Sequence, residues 1–192
     1  MKNKKITYNQ QEYVVLVDIN NNVLETAPKL ETHNNNTPLH RGFSVFLFNK
    51  EGKLLIQQRS SKKKTWPKIW SNSCCGHPML NESNIDACKR KLKFELGIIT
   101  DKICNILPNF SYKVEKDNIV ENELCPVLIA FSNQKPIINN DEIEDISWLT
   151  WEEFLKDIKN NPTKYSKWCI LEVNELLKNK KFRSFQRKNF IL

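Results

Sequence analysis

An α+β fold with a mixed sheet is what this sequence predicts, and three observations predict it. Strand-like runs lie on both sides of one central helix, more helix closes the chain, and no internal repeat or linker-like stretch divides its 192 residues. A chain of that length is ordinarily one domain with a sizeable core.

The elements follow in order. Glu12 to Ile19 carries YVVLVDI, a buried strand, and Asn20–Asn22 is a turn signal. Leu24 to Leu39 is polar, contains Pro28 and Pro38, and reads as a loop with at most a short helix. Gly42 to Phe48 and Lys53 to Arg59 read as two strands of a hairpin turning at Asn49–Gly52, followed by a basic loop, Ser60 to Lys68. Trp70 to Gly97 is the organising stretch: an extended run, a tight turn at Gly76, a loop, then a helix. Ser83 is its N-cap, because its hydroxyl can accept an orphan amide one turn on. Ile85, Cys88, Leu92 and Leu96 form its apolar stripe, and Gly97 supplies the left-handed residue at its end. Asn105 to Val114 is a strand interrupted by Pro108, Ile119 to Phe131 one long strand, and Ile143 to Leu149 a short one. Trp151 to Lys159 and Lys167 to Lys180 read as helices, the second with Trp168, Leu171, Leu176 and Leu177 near one face.

Composition excludes several classes of protein. No apolar run is long enough to cross a bilayer, and the basic N-terminus MKNKKITYNQQEY lacks the apolar segment of a signal peptide, so a cytoplasmic location away from membranes is the default. The six cysteines have no C-x-x-C spacing and no secretory context, so they read as thiols, most of them buried. The net charge of +8 invites a nucleic-acid reading, but the lysines are scattered and no interleaved aromatics accompany them. The densest basic run, Lys178 to Lys188, reads as a solvated face.

Chemistry-bearing residues concentrate in a few places. His33, His40 and His77 are the only histidines, and Glu121 and Glu123 stand two apart on a strand, so both carboxylates leave the same face. Three imidazoles and two carboxylates would suit manganese, zinc or iron. Periodicity alone does not bring the five together: a loop histidine is more often idle, and paired strand glutamates are usually a solvated face. A free cysteine such as Cys75 is ordinarily a small buried hydrophobe, and Trp168 ordinarily a core aromatic.

Gly76, Glu82, Arg90, Glu95, Gly97 and Ile98 resemble a Nudix box spanning 76–98, with Lys91 and Phe94 standing where further glutamates would be. The flanking text, WPKIWSNSCCGHP and YKVEKDNIVENELCP, together with the H-x6-H spacing from His33 to His40, resembles the type 1 isopentenyl diphosphate isomerase family from about Tyr13 to Trp168. That resemblance implies a Nudix-type α/β/α sandwich with a mixed central sheet, as one domain over 1–192. It implies interconversion of isopentenyl and dimethylallyl diphosphate in isoprenoid biosynthesis. A proton adds to the terminal carbon of the double bond, a tertiary carbocation forms, and another proton leaves C2.

The same resemblance implies the site residues. Cys75, Glu123, Tyr112 and Trp168 are the catalytic set, with a thiolate and a carboxyl on opposite sides of the substrate, Tyr112 assisting Glu123, and the indole face stabilising the cation. Lys29, Arg59, Lys63 and Lys91 contact the diphosphate; Lys91 replaces a common arginine and loses its fork. His33, His40, His77, Glu121 and Glu123 hold one manganese or zinc ion. Glu95 and the backbone carbonyl of Cys75 hold a magnesium ion bridging to the diphosphate. Arg90 and Glu82 are expected as a bracing ion pair. The implied partner is a small prenyl diphosphate, with no nucleic acid or membrane, and a monomer or weak homodimer. Two other functions remain open at this point: a Nudix pyrophosphohydrolase, weakened by Lys91 and Phe94, and a basic nucleic-acid-binding module.

Overall fold

The computed structural model describes residues 12–189. The N-terminal residues 1–11 and the last three lie outside the described residues, and with them most of the basic N-terminal stretch.

Strands β1 (Tyr13–Val17) and β2 (Val23–Pro28) open the chain as a hairpin. Their turn is held by the Asp18 carboxylate, which accepts hydrogen bonds from Asn20 N, Asn22 N and Asn22 Nδ2 at 2.8–2.9 Å. The stretch from Leu24 was expected as a loop. It is an edge strand, largely exposed, and that position explains both its polarity and its terminal proline. A one-turn helix α1 (Lys29–Thr32) follows, then β3 (His40–Arg41), β4 (Phe43–Phe48), β5 (Leu54–Arg59), β6 (Trp70–Ser71) and β7 (Cys74–Gly76). The central helix α2 (Asn84–Leu96) precedes β8 (Ile103–Leu107), β9 (Ser111–Lys116), β10 (Ile119–Leu124), β11 (Val127–Phe131) and β12 (Ile143–Leu149). Helices α3 (Trp151–Asn160), α4 (Lys167–Lys178) and α5 (Lys180–Asn189) close the described chain.

The strands form two mixed sheets, ordered β2-β1-β3-β10-β9 and β12-β5-β4-β11-β8, with β6 on β5 and β7 on β4. The chain passes from one sheet to the other three times, at β3–β4, β8–β9 and β10–β11, and the first and last crossings lie side by side. At Gly42 it leaves β3 for β4, and at Cys125–Pro126 it leaves β10 for β11. The pairs β3–β10 and β4–β11 are parallel, and Gly42 N donates to Leu124 O (2.9 Å) and Ser44 N to Pro126 O (3.0 Å) across the junction. The single long strand expected over Ile119–Phe131 is therefore two, broken where Pro126 offers no N–H.

Every residue of β4 is buried, and its alternation serves two cores. Phe43, Val45 and Leu47 pack with Ala87, Cys88, Leu92 and Leu96 of α2. Phe46 and Phe48 pack with Phe154, Trp168, Val173, Leu176 and Phe182 from the C-terminal helices. The result is a sheet between helical layers. The α2 ends are as expected: Ser83 Oγ accepts from Asp86 N at 3.1 Å, and Gly97 has φ 66°. The apolar stripe is displaced, however. Ile85 is exposed and Ala87 takes the buried place, and in α4 Leu171 and Leu177 face solvent while Glu172 is buried. Gly76 makes no tight turn; it ends β7, and its missing side chain lets the Lys91 stem and the Phe43 ring approach, a Cβ there meeting them at 3.1 and 3.2 Å. The basic tail is not wholly a solvated face, since Phe182 is buried and its ring lies 5.0 Å from that of Trp151. All six cysteines are free thiols, and no helix among the described residues is long and apolar enough to cross a membrane.

Candidate active site

One cavity gathers Cys75, Glu123, Tyr112 and Trp168 with the cationic side chains expected from sequence and, apart from His40 beneath it, the expected metal-ligating ones. Of those residues only His40 is sealed completely beneath the surface.

Three histidines form a triangle with ring centroids 5.0, 5.1 and 5.4 Å apart. His33 comes from the end of α1, His40 from β3 and His77 from the loop after β7. Backbone carbonyls fix two rings: His33 Nδ1 lies 2.8 Å from Lys29 O, and His40 Nδ1 lies 2.9 Å from Pro38 O. Each therefore carries a proton on Nδ1 and turns Nε2 inward, the arrangement of metal-binding imidazoles. His33 Nε2 faces Glu121 Oε2 at 3.1 Å, and His77 Nε2 faces Glu123 Oε1 at 3.1 Å. His40 Nε2 lies 3.6 Å from Glu123 Oε1 and, though buried, has no hydrogen-bond partner. One ligand atom each from His33, His40, His77 and Glu123 lies within 4.8 Å of the others. An orphaned imidazole nitrogen aimed at a carboxylate and two further imidazoles fits a divalent transition metal.

The electrostatics are those of a buried cluster. Burial drives His77 down to about 3. Burial opposes a charge on His40 too, but attraction to the Glu123 carboxylate and the Pro38 carbonyl on Nδ1 outweigh it and raise that ring. Glu123 is held well below the usual carboxylate range, its own burial overcome by His40 and His77. Gly42, which the sequence reading did not single out, makes room for this carboxylate: a Cβ there would overlap Glu123 Oε2. The signal was a glycine at the head of the strand expected over Gly42–Phe48, where a missing side chain marks a close approach.

Across the cavity stands the thiol. Cys75 pairs with Ser44 in the β4–β7 register, and its Sγ lies 3.1 Å from Asn72 Oδ1 and 3.4 Å from Ser44 Oγ. Burial pushes it up to about 12, so the thiol is the resting form and not the thiolate. Tyr112 sits directly opposite Glu123 in the β9–β10 register, and its ring stacks on Trp168 with centroids 6.3 Å apart. Trp66 meets Trp168 edge-on at 5.1 Å, so aromatic rings wall this part of the cavity.

The opposite end is polar. Arg59 is braced by the loop after β5, donating to Trp66 O (3.2 Å) and Thr65 O (2.9 Å), with its guanidinium 5.8 Å from the Trp168 ring. Each lysine is already paired: Lys29 with Glu12 (2.6 Å), Lys63 with Glu142 (2.6 Å) and Lys91 with Glu95 (2.8 Å). Burial lowers Lys63, with Lys29 adding repulsion. Lys91 is raised in spite of its burial, by Glu95, Glu142 and Glu12. Glu12 and Glu142 were not identified from sequence, because nothing local distinguishes them from surface acids. Glu95 and Glu142 both line the cavity as hard oxygen donors, the kind magnesium takes together with phosphate. The expected brace is present, with Arg90 Nε and Nη2 on the two Glu82 oxygens at 2.7 Å each and Nη2 on His77 O at 3.1 Å.

A family model described as the NUDIX domain matches residues 38–187. Over 166 residues the chain is 40% identical to the isopentenyl-diphosphate Delta-isomerase of Salmonella arizonae, covering 86% of this chain and 91% of that one. It is 38% identical over 167 residues to the enzyme of the same name from Saccharopolyspora erythraea, covering 86% of both. Among solved structures, a Deinococcus radiodurans protein is similar at TM-score 0.62 and 24% identity, over 78% of this chain and 90% of that one. The MutT protein from Methanosarcina mazei is similar at TM-score 0.53 and 19% identity, over 62% and 82%. These two speak to the fold alone.

Proposed function

The chain belongs to the isopentenyl-diphosphate Delta-isomerase family within the Nudix fold, and we propose that Cys75 and Glu123 are the proton-handling pair with which it interconverts isopentenyl and dimethylallyl diphosphate. The observation that carries the assignment is that the thiol and the carboxyl line one cavity, Cys75 from β7 and Glu123 from β10.

An unactivated alkene is a weak base, so the reaction needs an acid at the terminal carbon, a base at C2, and no water to trap the cation. Glu123 with Tyr112 serves one carbon and Cys75 the other, and their acid and base roles exchange with reaction direction. The resting pair, a thiol and an ionised carboxyl, is the state left after C2 has given its proton to sulfur and Glu123 has given its own to the terminal carbon. Trp168 faces the cation; an indole face contributes ~2 kcal/mol when desolvated, more than a tenfold rate effect.

His33, His40, His77, Glu121 and Glu123 would hold one manganese or zinc ion, and Glu95 with the Cys75 carbonyl a magnesium ion. Such ions supply charge that makes a bound carboxyl's proton more acidic and neutralises phosphate oxygens. Lys29, Arg59, Lys63 and Lys91 receive the diphosphate. Their charge of +4 is offset by −3 from Glu12, Glu95 and Glu142, leaving +1 for a multiply charged anion. That shortfall supports a bridging cation at this end. Phosphorus hydrolysis is disfavoured, because Lys91 stands where a water-activating carboxylate would be and is paired with Glu95. We read the chain as a single domain working in the cytoplasm, as a monomer or weak homodimer.

Incubation with isopentenyl diphosphate and magnesium in deuterated water tests this. Deuterium should enter the product without release of phosphate, and Cys75→Ala should abolish turnover, by about a thousandfold or more, with the far-UV spectrum and Tm unchanged. Phosphate release, or near wild-type turnover in the variant, would remove the assignment.

A further inference from the structure

The structure assigns Glu172 as the positioning residue of the Cys75 thiol, acting through the hydroxyl of Ser44. The assignment rests on the reading of Cys75 as the group that handles the C2 proton.

Glu172 lies one turn beyond Trp168 on α4, so the two side chains share a face. It is 0% exposed, on a helix whose other buried side chains, Trp168, Cys169, Val173 and Leu176, belong to the apolar core. Its Oε1 is hydrogen-bonded to Ser44 Oγ, and its Oε2 has no hydrogen-bond partner. An ionised carboxylate with one hydrogen bond in such a place is expensive, and burial accordingly lifts this carboxyl well above its ordinary range. Glu172 is therefore a neutral acid with a proton to donate.

That proton orders the contacts beyond it. Ser44 Oγ lies 3.4 Å from Cys75 Sγ and 3.6 Å from Cys125 Sγ. A serine hydroxyl has one proton. Were Glu172 a carboxylate, Ser44 would spend that proton on it and leave the sulfur without a donor. With Glu172 as the acid, the chain runs from Glu172 O–H to Ser44 Oγ and from Ser44 O–H to Cys75 Sγ. On its other side the sulfur meets Asn72 Oδ1 at 3.1 Å. Asn72 is locked in that orientation because its Nδ2 donates to Val45 O and Cys74 O, both at 3.1 Å. The thiol thus gives its proton to Asn72 and receives one from Ser44, which fixes its rotamer toward the cavity. A leucine at position 172 would fill the layer equally well; what it cannot do is donate.

Steady-state kinetics of the metal-loaded full chain test the assignment. Glu172→Leu and Ser44→Ala should each lower kcat about tenfold with KM within about twofold, as expected for a lost oriented hydrogen bond that binding does not use. The double variant should be no slower than either single one, because both break the same chain. Glu172→Gln, whose amide can donate to Ser44, should recover most of the loss. The carbonyl stretch of a protonated buried carboxyl should be present in the infrared spectrum of the wild type and absent from Glu172→Gln. Wild-type kcat in folded Glu172→Leu or in Ser44→Ala, a Gln variant as slow as the Leu variant, or no such stretch in the wild type would each overturn the inference. Should Glu172→Leu fail to fold, Ser44→Ala and the spectrum still decide. If Cys75→Ala is inactive while these variants are not, only the role of Glu172 falls; if Cys75→Ala is active, the reading beneath it falls.

Discussion

The two ends of the cavity are built in opposite ways. At the end proposed for the metal, short side chains project from strands, a helix end and a loop and are fixed by the backbone: carbonyls on two imidazole Nδ1 atoms, a register that sets Tyr112 against Glu123, and a glycine that leaves space for a carboxylate. At the end proposed for the diphosphate, three long lysines reach in, each held by a carboxylate and not by the backbone. The first arrangement suits an ion that must stay with fixed geometry, and the second a substrate that must enter and leave. Lysine charges prepaid by Glu12, Glu95 and Glu142 also keep a buried cationic site from repelling itself apart before substrate arrives.

Gly42→Ala should break the fixed end most severely. The added methyl overlaps Glu123 Oε2, and β4 cannot move aside because its neighbours on both faces are closely packed. A displacement of about 1 Å at a reacting group costs on the order of a hundredfold in rate. Turnover should fall by that much and bound transition metal should fall with it, measured by elemental analysis; metal content equal to wild type would show that the carboxylate is not held where Gly42 allows it.

A pair of variants sharpens the contrast. His77→Ala should reduce bound transition metal and leave the affinity for inorganic diphosphate nearly unchanged. Lys63→Ala should do the reverse, raising KM by about tenfold with metal content unaltered, since one partly buried phosphate contact contributes on the order of 1.4 kcal/mol. Equal effects of both variants on both readouts would mean that the two ends are one coupled cluster.

What sequence could show of these ends follows from the range of the forces involved. Ser83 and Gly97 were legible because a cap is decided within four residues. The α+β class was legible from the alternation of strand-like and helical runs. The break at Cys125–Pro126 was hidden because the apolar residues on either side read as one strand, although they enter different sheets. The histidine cluster was reached through a resemblance and not through periodicity, since His33, His40 and His77 meet only when α1, β3 and the loop after β7 are packed together. Glu12 and Glu142 carry no local mark at all; their role is defined by lysines far away in the chain. Glu172 was missed for a different reason. The stripe expected for α4 took in Leu171 and left its glutamates unassigned, and the helix is turned so that Leu171 faces solvent and Glu172 is buried.

That rotation supplies the smallest effect, one of stability. Glu172 has its carboxyl raised in the folded state, from an ordinary value of 4.5. A group of this kind contributes stability that is fully present below its unfolded pKa and is lost as pH rises toward its folded one, because the unfolded chain then releases a proton that the folded chain must keep. The amide of Glu172→Gln does not titrate. Relative to wild type, Glu172→Gln should therefore gain Tm as pH is raised from about 5 to about 8, by a few degrees across that span. Groups that do not interact with Glu172 are the same in both proteins and cancel in the difference. A Tm difference independent of pH would mean that Glu172 is ionised in the fold, and the buried acid at the back of the thiol would then be an anion that Ser44 alone cannot satisfy.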